Sequence, residues 1–221
     1  MFLKIDPDLE TRFPGLRVLI GRVKGVKVNS GKVELREFKG HLVERVKELY
    51  SLETLKDVPV FKAYRGFFWK VGIDPTKIRP AAEALTRRIL GGKAIPSINN
   101  VVDAYNLASI ETGIALAAFD EDSLKGDLLM RYSCEGESFQ GIGMKKPMKL
   151  KGDEIVISDS EKLVAIYPYR DADQAKITHE TRNVLLLVCG VPGIGEEALT
   201  NAGHIAIEYV TRFGGGEEEL G

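Results

Sequence analysis

Two cysteines, three histidines, one tryptophan and no long apolar run are spread over 221 residues, and each scarcity excludes something. Cys134 and Cys189 lie far apart and match no metal or redox spacing, which predicts reduced thiols and a cytoplasmic location. His41, His179 and His204 fall at no metal-ligand spacing, so no zinc site is expected, and no other cofactor either. No Walker phosphate loop and no Gly-x-Ser-x-Gly elbow occur. The longest apolar runs, such as Val184 to Val188, are far short of the ~20 residues that cross a bilayer, so no membrane partner is expected. The start, Met1 to Pro7, lacks the basic and apolar regions of a secretory signal. An excess of one charge is missing too: 31 Lys and Arg stand against 32 Asp and Glu, for a net charge of −1.

What is present is an average globular composition, 44% hydrophobic and 29% charged, enough to bury a core and to exclude intrinsic disorder. The near-neutral total hides a division. Residues 1–93 carry 20 Lys and Arg against 11 Asp and Glu, whereas residues 94–221 carry 11 against 21. The basic part could meet a phosphate backbone, or the two parts could neutralise each other across an internal interface.

Alternation of β-branched and polar residues over Leu16–Val28 predicts a strand. Apolar residues at helical spacing predict helices near 38–51 and over 58–71, the second stopped by Gly72 and Pro75. Pro80 suits a first helical position, with a helix over 81–90 ended by Gly91 and Gly92. Another helix is expected over 97–112 with Gly113 as its left-handed terminator. Strands follow over 127–133, 154–158, 163–167 and 184–189, and a last helix covers 196–213. Helices early and strands late, with little βαβ alternation, predict an α+β fold: a mixed, largely antiparallel sheet flanked by helices. Residues 1–213 are expected to form one compact domain, with 214–221 a flexible acidic tail.

Three regions could carry chemistry. Lys62, Tyr64, Arg65, Phe67, Phe68, Trp69 and Lys70 interleave bases and aromatics as single-strand binders do. Helical spacing also places Phe61, Phe68 and Tyr64 on one face, which would be core, leaving Lys62 and Arg65 for phosphate. Asn99, Asp103 and Asn106 recur at i, i+4 and i+7 and line one edge of a mostly apolar helix, as either a capping scaffold or a ligand site. Tyr167–Asp173 follows an apolar strand, where Arg170, Asp171 and Asp173 form either a solvated loop or a wall with a carboxylate that accepts a hydrogen bond from a substrate hydroxyl or amine. The glycines of Cys189–Gly195 imitate a dinucleotide loop but fall in the wrong order, which favours a tight turn into the last helix.

Asn99-Asn-Val-Val-Asp103 with Asn106, then Gly113, Ala118-Phe-Asp120 and Glu180-Thr-Arg-Asn-Val-Leu-Leu186 form an ordered set. In that order they resemble the tRNA-editing domain of the phenylalanyl-tRNA synthetase beta subunit, built from that subunit's third and fourth modules. The resemblance covers residues 79–190, leaving 1–78 as an N-terminal α/β extension, and no catalytic synthetase module accompanies it, as in a freestanding version. It implies hydrolysis of tyrosine wrongly esterified to the phenylalanine tRNA, an error that a hydrophobic synthetic site rejects only by about 10².

Carried over by residue, the family's site asparagine is Asn106 and its preceding threonine is Tyr105. The family's histidine before Ala-Phe-Asp is Ala117, and the glutamate that reads the tyrosine hydroxyl falls in the 170–174 loop, nearest Asp173. The resemblance therefore implies a tRNA-binding protein that hydrolyses or captures misacylated aminoacyl-tRNA, or a binding module that kept the fold without turnover. Asn106 and Asp173 are the candidate catalytic residues, with Asp171 in reserve. Asn99, Asp103, Tyr105, Arg170 and Asp171 are candidates for holding the substrate. Lys62, Arg65, Arg79, Arg87 and Arg88 are candidates for tRNA phosphates, with the acceptor end reaching across to Asn106. DNA is not an expected partner.

Overall fold

The apolar stretch Asn183–Gly190 is buried from Val184 onward, because it runs through the middle of a sheet that is covered on both faces. A computed structural model describes residues 1–31 and 33–219 of the chain. In chain order the elements are β1 (Leu3–Ile5), α1 (Pro7–Arg12), β2 (Arg17–Lys24), α2 (Val33–Leu49), α3 (Pro59–Lys70), α4 (Ala81–Leu90), α5 (Asn100–Thr112) and β3 (Ala115–Asp120). There follow β4 (Leu128–Tyr132), β5 (Ser138–Phe139), β6 (Met148–Lys149), β7 (Ile155–Ser158), β8 (Leu163–Ile166), β9 (Arg170–Asp171), β10 (Asn183–Gly190), α6 (Glu196–Gly214) and β11 (Glu217–Glu218).

Strand β10 pairs antiparallel with β2 on one side and β3 on the other, so Leu186 stands opposite Gly21 in one ladder and Ala118 in the other. With β11 on the outer edge of β2, this sheet has the order β11-β2-β10-β3. A second sheet, β1-β4-β7-β8-β9, is antiparallel except at the β1–β4 pair. Strands β5 and β6 pair separately. Helices α5 and α6 pack on each other, and α6 lies over β2 and β10. It comes so close at Gly21 that a Cβ there would stand 3.0 Å from Ile207 Cδ1. The result is the expected α+β class, mostly antiparallel sheets flanked by helices in one domain. Residues 1–78 supply an edge strand to one sheet and the inner strand β2 to the other.

Local chemistry explains the helix that carries the polar stripe. The Asn99 side chain accepts a hydrogen bond from Val102 N at 2.8 Å, capping α5, and Gly113 ends it at φ +73°. In α3, Phe61, Tyr64, Phe67 and Phe68 are all buried, so the base-and-aromatic run is a core face, with only Trp69 of its rings exposed. Tyr64 joins two strands: its hydroxyl accepts from Ala115 N at 2.9 Å and donates to Cys189 O.

Some boundaries differ from expectation. Helix α2 begins at Val33, and Pro80 precedes α4 as its cap rather than opening it. Cys189–Gly195 is the tight turn into α6, which follows an antiparallel strand. The acidic tail is tied down at its start: Gly214 still belongs to α6, and Glu217 and Glu218 pair with Lys24 and Val23. Its last residues, 220 and 221, lie outside the described residues.

Candidate functional site

The two sheets meet around a small cavity of about 70 Å³. Ala115, Leu116, Ala117 and Phe119 of β3 and Leu187 and Cys189 of β10 form one wall. The other wall comes from Ile157 of β7, Ala165 and Ile166 of β8, the turn Tyr167-Pro168-Tyr169, and Asp171 of β9, with Ala81 of α4 at the margin. Small side chains at 81, 115, 117 and 165 leave the space, and paired strands keep it open.

Asp171 is the one carboxylate in this lining. Its backbone pairs with Ala165, and its carboxylate makes no ion pair or hydrogen bond among the described residues. Asp171 is partly exposed, and the desolvation imposed by its apolar surroundings raises its pKa to about 7. The other titratable groups around it are three phenols and a thiol. Burial raises all four, Tyr105, Tyr167, Tyr169 and Cys189, and the charge of Asp171 raises Tyr105 and Cys189 further. They are neutral at pH 7, so Asp171 is the group there that can change charge near neutrality.

The sequence-derived candidates divide. Asp173 does not line the cavity; it sits in a short 3₁₀ turn and bonds Lys176 Nζ at 2.8 Å. Asp171, the reserve choice, lines the cavity, on the side of β9 opposite the exposed Arg170. Arg170 is exposed, lies across Gly141, and makes no salt bridge to Asp171. Tyr105 stands close enough to Asp171 to feel its charge.

The polar stripe is largely scaffold. Asn99 is the cap, and Asp103 is buried, accepting from Ile98 N at 2.9 Å and Lys39 Nζ at 3.0 Å. Asn106 is partly exposed, makes no hydrogen bond among the described residues, and does not line the cavity. Asn100 instead proves essential to the packing. It donates to Lys27 O and Phe213 O and accepts from Asn29 N, tying α5 to the ends of β2 and α6. Asp120 and Thr181, from two separate motif segments, are joined by a 2.8 Å hydrogen bond that fixes the β3–β10 edge.

The phosphate candidates also separate. The carboxylate of Glu83, fully buried, takes Arg65 at 3.1 Å and Arg87 Nε at 2.8 Å, so both are engaged internally, and of the two only Arg87 also lines the groove described next. Lys62 is exposed but apart from the other bases. Arg79, Arg87 and Arg88 come together with Lys77 and Lys93 around an open groove of about 510 Å³, lined otherwise by Ala84, Leu85 and Gly91 and by no acid. Lys77 and Lys93 were not singled out from the sequence; their grouping comes from the turns that bracket α4. This groove and the cavity share the start of α4, where Arg79 lines one and Ala81 the other.

A family model described as the B3/4 domain matches residues 63–211. The chain belongs to the B3/4 domain family. Its relatives include the phenylalanine–tRNA ligase beta subunits of Protochlamydia amoebophila, 33% identical over 118 residues, and Geobacter metallireducens, 36% identical over 110 residues. The first match covers 53% of this chain and the second 49%, in each case 14% of the relative, so the B3/4 segment is a small part of those proteins. The fold is also that of an N-terminal fragment of the phenylalanyl-tRNA synthetase beta subunit from Pyrococcus horikoshii, with a TM-score of 0.53 and 14% identity. That likeness covers 98% of this chain and 50% of the fragment. Within this B3/4 domain Ala117 lines the cavity, and no cluster of His, Cys, Asp or Glu able to hold a metal occurs among the described residues. No helix among them is long and apolar enough to cross a membrane.

Proposed function

We propose that this B3/4 domain binds the acceptor end of tRNA in the cytoplasm and hydrolyses or captures misacylated aminoacyl-tRNA in trans. The observation that carries this reading is the adjacency of the acid-free basic groove and the Asp171 cavity at the start of α4. Phosphates suit Lys77, Arg79, Arg87, Arg88 and Lys93, and the aminoacyl group suits the cavity, with Asp171 taking the recognition role first given to Asp173. Asn106 lies outside the cavity lining, but its amide makes no hydrogen bond among the described residues and is available to the ester or a water. An aminoacyl ester is already activated, so holding it beside an oriented water does much of the work.

Ala117 favours a second reading, in which the site captures aminoacyl-tRNA without turnover. Where the editing domain it resembles has a histidine, this cavity presents a methyl group, and the buried thiol and phenols beside it are poor bases at pH 7.

Incubating the protein with a panel of correctly and wrongly charged tRNAs tests both readings. Amino-acid release above the spontaneous rate from a mispaired tRNA supports hydrolysis, and slowed spontaneous release supports capture. Unchanged release from every member of the panel, with no tRNA bound, overturns both.

A further inference from the structure

Helix α3 turns one face to the core and a different chemistry to solvent. Its exposed residues, Pro59, Lys62, Gly66, Trp69 and Lys70, recur three or four positions apart and so form one stripe along the helix. No acid interrupts the stripe, and among the described residues the only ion pair made from α3 is that of Arg65, which leaves Lys62 and Lys70 unpaired. Phe67 and Phe68 pair inward with Phe13, Tyr167 and Tyr169, whereas Trp69, 57% exposed, meets no other ring and no cation among the described residues. A lone exposed ring is ordinary, but two further features converge on this one. Gly66, one turn before it, lies inside the helix, where glycine is less stable than alanine, yet a Cβ there would meet nothing within 4 Å. Packing therefore does not require the glycine, and it leaves a bare floor between Lys62 and Trp69, about 10.5 Å apart along the helix axis. Arg65, also one turn before Trp69, bonds Glu83, which in turn holds Arg87 of the basic groove. Those contacts join the stripe to the groove.

We propose that this stripe is a platform for an unpaired RNA base, which stacks on Trp69 beside the bare surface at Gly66, with neighbouring phosphates on Lys62 and Lys70. The proposal rests on the reading that the groove takes tRNA, and it extends that contact to an unpaired segment next to the groove. Every base has a π-face, so an indole accepts any of them and reads no sequence. What it does require is a base free of its partner, because a duplex keeps its bases stacked on one another. The acid-free lysines complement the phosphates on either side as point charges.

Trp69 is the only tryptophan of the chain, so its fluorescence reports this site alone. Oligoadenylate should quench it saturably, and the same strand paired with oligouridylate should not. Trp69→Ala should weaken retention of tRNA on a filter by about tenfold, the size of one stacked base, whereas Trp69→Phe should keep most of the affinity. Gly66→Glu puts a carboxylate four residues from both Lys62 and Lys70 and improves helix propensity. It should weaken tRNA binding several-fold without lowering the melting temperature, which separates loss of the platform from loss of the fold. Equal quenching by paired and unpaired strands, or full tRNA affinity in Trp69→Ala, overturns the platform and leaves the groove reading standing. Quenching by oligoadenylate with no tRNA retained supports the platform and counts against the tRNA reading. No quenching by any RNA overturns the platform, whatever the groove binds.

Discussion

Desolvation of the partly exposed Asp171 raises its pKa to about 7, which makes stability itself pH-dependent. An aspartate titrates near 3.8 once unfolded, so between about pH 4 and pH 7 the native state binds a proton that the unfolded chain has lost. Stability therefore falls as pH rises through that window, by at most about 1.4 kcal/mol per pH unit from this group, and levels off above it. Asp171→Asn removes that contribution. Denaturant unfolding at pH 4.5 and pH 8 should show the variant gaining stability at the higher pH and little at the lower; equal changes at both would contradict the assignment. The same residue shows what a sequence yields at this scale. The loop 170–174 was legible as a candidate wall, and which of two aspartates faces inward was not. That depends on the pairing of Ala165 with Asp171, a long-range register with no signature in the loop. The i, i+4, i+7 spacing likewise placed Asn99, Asp103 and Asn106 on one edge. It could not show that Lys39, in a different helix, reaches Asp103.

Elements with strong periodicity and punctuated ends were legible, as were the buried strands β7, β8 and β10 with their branched apolar runs, whereas an alanine-rich buried strand and the shortest strands were not. Helix α5 carries both a cap and a terminator in its sequence. Gly113 is the sharper test, because its φ of +73° disfavours any side chain and a Cβ there would stand 2.7 Å from Val60 Cγ1. Gly113→Ala should cost about 2 kcal/mol and lower the melting temperature by roughly 4–8 °C. A melt within 1 °C of the parent would show that the α5–β3 turn relaxes freely. Strand β3 was missed because its burial erases the alternation of a half-exposed strand and its three alanines lack the branched apolar residues that mark the equally buried β7, β8 and β10. Strands β5, β6, β9 and β11 have two residues each, too short to carry a period.

For the whole molecule, the basic and acidic parts of the sequence partly cancel across internal contacts. Arg17, Arg22, Lys24, Lys39 and Arg45 pair with Glu196, Glu121, Glu219, Asp103 and Glu111 of the acidic part. Among the described residues the bases from Lys77 to Lys93 have no such partner from the acidic part, although Lys77 and Arg87 pair locally with Asp74 and Glu83, and they are the ones that gather at the groove. The charge division was legible as a number; the fold reduces it to one short surface beside the cavity.

That surface and that cavity must act on one ligand if the account is right. The most direct measurement is the affinity for tRNA carrying an amino acid through a non-hydrolysable amide, against the same tRNA uncharged, over a series of salt concentrations. Both should weaken with salt along parallel slopes, reporting the counterions released as the shared groove contacts neutralise phosphates. The charged form should bind about tenfold tighter at every salt concentration, reflecting one charge-assisted contact in the cavity. Equal affinity of the charged and uncharged forms would contradict the account.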